Sequence, residues 1–177
     1  DVGAGACGLG QLAAGTQGVF FIQARDQFKG NKTTADDSFF YSVVGAGGYS
    51  KDSLATARGL EYPGQYRATF NTEIAGPLTI RATLRGSLVA SVMAMIVPGR
   101  VDPQRCTMAS AAFPKSEVWT PGAEPYLITI TARDPYGNQL LEGGLDFDLL
   151  MSKTDTSYAV TLSVEDAGDG TYHSNFI

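Results

Sequence analysis

The sequence is poor in the residues on which most catalytic and metal sites depend. It holds one histidine, His173, and two cysteines, Cys7 and Cys106. Two cysteines cannot build the disulfide framework of a small secreted domain. Neither sits in a CxxC, so a zinc site is not expected. They read as two reduced thiols of a cytosolic protein, with one long-range Cys7–Cys106 bridge left open because each cysteine precedes the first strand of its own repeat. Charge is scarce too: 13 Lys+Arg face 18 Asp+Glu, a net charge of −5. The basic residues are scattered singly, without the excess or stripe of a nucleic-acid binder. No apolar run reaches the ~18 residues of a membrane span; the longest, Leu88 to Val97, is interrupted by Ser91. Asp1-Val2-Gly3 shows no initiator Met, basic n-region or signal-peptide core, so the chain is expected to be a piece of something longer. What is abundant is apolar residues, at 44%, and turn formers, at 21 glycines and 8 prolines. That composition suits a globular chain with an ordinary core and few long helices.

The sequence repeats itself. Ile22-Gln23-Ala24-Arg25-Asp26 with Gly30-Asn31 returns as Ile130-Thr131-Ala132-Arg133-Asp134 with Gly137-Asn138, the second copy reading one residue shorter in the turn. Ala14-Gly15-Thr16 is matched by Pro121-Gly122-Ala123, and Gly64-Gln65-Tyr66 by Gly170-Thr171-Tyr172. The offsets are 108, 107 and 106 residues, so one order of landmarks is kept.

Periodicity within each copy is that of strands. Tyr66, Ala68 and Phe70 share a face, as do Leu78, Ile80, Ala82 and Leu84. Leu145, Phe147 and Leu149 point inward, with Asp146 and Asp148 outward. Turn signals such as Ala75-Gly76-Pro77 and Gly168-Asp169-Gly170 separate the runs. Short alternating strands at that spacing predict β-sandwiches, and no βαβ alternation appears. The first copy, 1–99, divides into strands at 7–15, 18–26, 37–46, 51–58, 64–71, 77–86 and 87–97. A stiff two-proline join, Val97 to Pro103, leads to the second copy, 100–177, which reaches only its fifth strand at Thr171 to Ile177. Two absent strands carry about six inward side chains, or roughly 10–18 kcal/mol of burial against a net stability of ~5–15 kcal/mol. The second copy is therefore expected to need strands from elsewhere.

These residues resemble the immunoglobulin-like repeat of the filamin family. The resemblance rests on Gly8-Leu9, Ala14-Gly15, the two Ala-Arg-Asp…Asn turns, Asp169-Gly170-Thr171-Tyr172, Ala75-Gly76 and Val97-Pro98-Gly99. The chain departs from the pattern at Tyr62-Pro63-Gly64-Gln65-Tyr66 and at Gly86-Ser87-Leu88-Val89, which bears on the geometry of the seventh strand. The resemblance implies an all-β fold of two tandem immunoglobulin-like sandwiches, the second incomplete. It implies Tyr66 and Tyr172 filling the space between sheets with their hydroxyls at an edge. Asp26 and Asp134 are placed to accept the amides of the turns that follow them. Arg25–Asp26 and Arg133–Asp134 pairing across strands is a further option, worth only ~0–1 kcal/mol if exposed.

Chemistry that the residues suggest is outweighed in each case. Gly3-Ala4-Gly5-Ala6-Cys7-Gly8 matches GxGxxG but has no strand before it or helix after it. His173 alternates with Tyr172 and Ser174 on a strand, and no Gly-x-Ser-x-Gly elbow is present. Glu165, Asp166 and Asp169 sketch a calcium site, but EF-hand spacing is missing. Asp36-Asp37 and Asp146/Asp148 read as a loop and a wet face rather than an acid/base pair. No catalytic residue, cofactor or metal is expected. The sequon Asn31-Lys32-Thr33 matters only if the chain is extracellular.

The resemblance implies binding at a sheet edge. A partner strand is expected beside the third strand, at Phe39, Phe40, Tyr41, Ser42, Val43 and Val44, facing Leu54, Ala55 and Thr56. In the second copy the counterpart is Phe147, Asp148, Leu149 and Leu150, facing Tyr158 and Val160. The expected role is a non-enzymatic spacer and scaffold of a larger cytoskeletal protein, with the ciliary axoneme as one placement. Its partners are other proteins at exposed sheet edges and neighbouring repeats of the chain. The alternative is a cell-surface adhesion or gamete-recognition protein with filamin-like ectodomains.

Overall fold

The structure, a computed structural model, describes residues 10–110, 126–152 and 159–176. Its contacts divide the chain into two units, Asp1–Val97 and Pro98–Ile177. Cys7 and the GxGxxG stretch lie outside the described residues.

Unit 1 is a two-sheet sandwich. One sheet has the order β1-β8-β7-β3-β4, from Leu12–Ala13, Ser87–Val97, Gly76–Leu84, Phe39–Gly45 and Ser50–Leu54. The other has the order β2-β6-β5, from Gln17–Gln23, Gln65–Asn71 and Thr56–Ala57. β1 runs parallel to β8, Leu12 opposite Ile96, while the other ladders are antiparallel. This is an immunoglobulin-like arrangement. The alternating apolar positions meet between the sheets: Ile22, Tyr66, Ala68 and Phe70 from one, Phe39, Tyr41, Val43, Leu78, Ile80 and Ala82 from the other. Phe39 and Tyr66 make an edge contact at 4.8 Å, and Phe20 and Tyr41 another at 5.4 Å.

Two expectations for unit 1 are corrected. The strand expected over 51–58 breaks at buried Ala55. Before it, β4 pairs with β3; after it, Thr56 and Ala57 pair with Arg67 and Tyr66 in the opposite sheet. A small side chain at the crossing lets the chain pass between sheets without filling the core. The strand expected over 7–15 is seen as Leu12–Ala13, residues 1–9 lying outside the described set. The departure at Gly86-Ser87-Leu88-Val89 does show in the geometry: β7 and β8 slip register between Ala82, opposite Ala90, and Thr83, opposite Leu88, which leaves Val89 as the extra residue of a bulge. The turn itself is regular. Arg85 and Gly86 both take positive φ, 51° and 81°, as a two-residue hairpin requires, and β8 continues for 11 residues.

Unit 2 has a sheet of order β13-β14-β10-β9, from Glu165–Asp166, Thr171–Phe176, Tyr126–Thr131 and Thr107–Ser110. A separate pair joins β11, Leu149–Ser152, to β12, Ala159–Leu162. Ile130, Ala132 and Tyr172 form its core with Leu140, Leu145 and Phe147. Among the described residues it has counterparts of β2 to β6 and none of β7 and β8. Its first described strand, β9, pairs with β10, unlike β1 of unit 1, which joins β8.

Several hydrogen bonds recur at equivalent positions of the two units. The Asp26 carboxylate accepts the amides of Phe28 and Gly30, and the Asp134 carboxylate those of Tyr136 and Asn138. The Tyr66 hydroxyl accepts the Asp37 amide at 2.9 Å, and the Tyr172 hydroxyl the Leu145 amide at 3.1 Å. The turn register, however, is corrected. The bridges Arg25–Asn31 and Arg133–Gln139 are both 108 residues apart, so the two turns have the same length. Only the glycine has moved: Lys29 takes the left-handed conformation, φ 68°, that Gly137 takes in the second copy, φ 87°. Arg133 does not pair with Asp134 but donates to the Gly137 carbonyl at 2.7 Å.

Candidate functional site: the open edge of the first unit

The expected docking strand is placed differently by the structure. β3 has no free edge, because β7 occupies one flank and β4 the other. Phe39, Tyr41 and Val43 point into the core. Phe40 and Val44 face outward with Ser42 between them, Phe40 beside its cross-strand neighbour Leu54, each about half exposed. The edge is one strand further out, at β4. The hairpin through Gly45 to Tyr49 folds β4 back onto β3, so β4 fills the flank where the partner strand was expected. In unit 2, Phe147 is half-buried against Tyr172, Asp148 and Leu150 are exposed, and Leu149 is half-buried on β11. Val160 pairs with Met151; Tyr158 lies outside the described residues.

The backbone groups that β4 leaves open can be assigned. The Ala55 amide donates to Phe39 at one end of the hairpin and the Gly45 amide to Tyr49 at the other. In an antiparallel ladder, hydrogen-bonded pairs alternate with pairs whose groups point away. The intervening hydrogen-bonded pairs are therefore Tyr41–Ser53 and Val43–Lys51, and the N–H and C=O groups of Ser50, Asp52 and Leu54 point off the sheet.

Below this edge lies an open cleft of about 810 Å³. Lys51 and Ser53 line it on the core side of β4, where they are half-buried because β5, two residues long, leaves them largely uncovered. Outward positions of β2 and β6 form the other wall, Phe21 and Arg67 lying opposite each other in one register pair. The Arg58 guanidinium is held between two rings, 4.4 Å from the Phe21 centroid and 3.5 Å from that of Tyr62, and donates to Gln65 Oε1 at 2.8 Å. Of the expected groove residues, Tyr41, Leu54 and Thr56 line the cleft. Phe21, Lys51, Arg58, Tyr62 and Arg67 were not anticipated. No ion pair joins Lys51, Arg58 or Arg67 to a carboxylate among the described residues.

The other polar groups singled out have structural partners. Lys32 Nζ clamps Asp36 at 2.7 Å and Asp37 at 2.8 Å; the lysine's hydrogen bond holds the Asp36 carboxyl down at about 2. His173 Nδ1 sits 3.2 Å from Thr129 Oγ1. Asp166 accepts the amides of Gly144 and Gly168, and Asp169 that of Thr171, so these carboxylates fasten turns. Asp134 has no exposed surface. Burial alone would raise its carboxyl, but the Asn138 side chain and the amides of Gly99, Asn138 and Tyr136 hold it below the ordinary value. Cys106 is a free, half-buried thiol. Asn31 of the sequon is exposed.

No protein-family model matches the chain, and no curated protein matches it in sequence. Solved structures similar to the chain include bacterial adhesins. FdeC, a broadly conserved adhesin of Escherichia coli, is 20% identical with a TM-score of 0.56, over 93% of this chain and 51% of that one. InvD of Yersinia pseudotuberculosis is 17% identical with a TM-score of 0.48, over 95% and 46%. Invasin, a bacterial integrin-binding protein, is 20% identical with a TM-score of 0.41, over 94% and 31%. Of these three, only the FdeC likeness is close enough to bear on the fold. The chain spans about half the length of that structure. The likeness shows an immunoglobulin-like all-β fold and does not single out filamin.

Proposed function

We propose that this chain is a non-enzymatic adhesive and spacing segment of a cell-surface protein, and that it docks protein partners at an open sheet edge. The observation that supports this most is the immunoglobulin-like fold shared with an adhesin over 93% of the chain. A polar β4 edge, unpaired among the described residues and above a cleft, gives such a segment a place to bind. The cytoskeletal and axonemal placement draws no support from these likenesses.

Protease treatment of intact cells that make the protein tests the location. A surface segment is cleaved while a cytosolic marker survives. Beads coated with the chain should also bind target cells more than beads coated with an unrelated sandwich. Full protection from protease on intact cells, with cleavage after lysis, refutes the reading.

A further inference from the structure

The cleft is cationic in an acidic chain. Lys51, Arg58 and Arg67 line it, with Glu61 as the one carboxylate among the described lining residues, whereas the whole chain carries −5. Arg58 is held rigidly by two rings and Gln65, so it loses little freedom when a ligand arrives. Lys51 is half-buried on the core side of an edge strand, without a carboxylate partner among the described residues. An inward-pointing lysine on an edge ordinarily blocks pairing with other strands. Beside an acidic strand the same lysine attracts, and so it selects.

We propose that the β4 edge takes an acidic, extended peptide of a partner protein as an added antiparallel strand, with its glutamates or aspartates directed into the cleft. The inference rests on the reading that this edge docks proteins, and it specifies the partner's chemistry. The added strand hydrogen-bonds to the outward N–H and C=O groups of Ser50, Asp52 and Leu54. Its residues opposite Lys51 and Ser53 fall on the cleft side, because cross-strand neighbours share a face. An acidic residue opposite Lys51 then lies on the side that Arg58 and Arg67 also line. Its residues opposite Asp52 and Leu54 fall on the outer face, beside one carboxylate and the exposed Leu54–Phe40 pair, where acidic residues are disfavoured and apolar or neutral ones fit. The expected ligand therefore alternates, acidic at every second position.

Titration of the full chain with a synthetic peptide of alternating glutamate and valine, followed by backbone amide NMR, tests this. The amides of Ser50, Asp52 and Leu54 should shift, and a glutamine-for-glutamate peptide should bind at least tenfold more weakly. Lys51→Glu and Arg67→Glu should each weaken binding about tenfold, or ~1.4 kcal/mol. Arg81→Glu, on the outer face of β7, should leave binding unchanged. Unaltered spectra away from each substitution establish that the variants fold. N-methylation of the peptide at the positions facing Ser50 and Asp52 should abolish binding. Equal binding of the acidic and glutamine peptides overturns the proposal. So does binding that survives N-methylation and is displaced by a sulfated oligosaccharide, which assigns the cleft to polyanions. Because the titration does not depend on where the protein resides, its failure with surface exposure intact removes only this inference. Binding without surface exposure removes only the adhesive reading.

Discussion

Asp134→Ala is expected to be among the most damaging truncations of a polar side chain in the second unit. The carboxylate is fully buried and accepts from Gly99 N at 2.8 Å, Tyr136 N at 3.0 Å, Asn138 N at 2.9 Å and Asn138 Nδ2 at 2.8 Å. Hydrogen bonds to a charged group contribute ~1.5–3 kcal/mol each, and they do not add when they share one acceptor. Truncation leaves buried donors without partners, so the expected loss is ~3–5 kcal/mol, a large part of a ~5–15 kcal/mol stability. Asp26 occupies the same place in unit 1, but it is exposed and accepts two amides, which water can serve. Asp26→Ala should cost only ~0.5–1 kcal/mol. Urea unfolding followed by backbone amide NMR reads the two units separately, each through its own resonances. The pH dependence adds a second test. The Asp134 carboxyl is lowered in the folded state, so the unfolded chain binds more protons between the folded value and ~4, and stability rises with pH across that window. That contribution is present above about pH 4 and is lost as pH falls through the folded value. Asp134→Asn should flatten the slope there. Equal losses for Asp26→Ala and Asp134→Ala, with an unchanged acid slope, would refute this account of the turn.

Glycine substitutions separate backbone strain from collision. Gly137 has φ 87° and open space where a Cβ would stand, so Gly137→Ala should cost only the left-handed penalty of ~1–2 kcal/mol. Gly170 has φ 80°, and a Cβ there would collide with the Leu140 carbonyl oxygen; Gly170→Ala should cost ~3 kcal/mol or more in the same urea assay. The two faces of β3 give a further contrast. Phe39→Ala empties a fully buried site and should cost ~3–5 kcal/mol, while Phe40→Ala on the outer face should stay within about 0.5 kcal/mol, both by thermal unfolding.

The strands of unit 1 were legible because burial on one face writes a period of two into the sequence. Tyr66, Ala68 and Phe70 point inward together, as do Leu78, Ile80 and Ala82. The turns were legible in kind and misread in register. A glycine ordinarily marks the left-handed residue of such a turn, as Gly137 does, but in the first copy Lys29 holds that conformation and Gly30 follows it. A non-glycine residue at positive φ leaves no mark that periodicity can detect. The crossing at Ala55 was equally silent, since an alanine between two short strands reads as continuous alternation.

The cleft was the least legible part, and the reason is geometric. Phe21, Lys51, Arg58 and Arg67 come from β2, from β4, from just after β5 and from β6, and each is an ordinary outward or edge residue in its own run. In the sequence the three cations are isolated, part of the scatter that argues against nucleic-acid binding, and Phe21 is one of the Phe20-Phe21 pair of an apolar strand. The fold converts scatter into a site in two steps. The register puts Arg67 opposite both Phe21 and Thr56, and the switch at Ala55 then carries the chain from β4 with Lys51 to β5, with Arg58 directly after it. A chain that stayed in one sheet through 51–58 would carry Lys51 and Arg58 on a single strand, an odd number of residues apart and so on opposite faces. The break in the fourth strand is thus what brings Lys51 and Arg58 to one cleft beside the β4 edge.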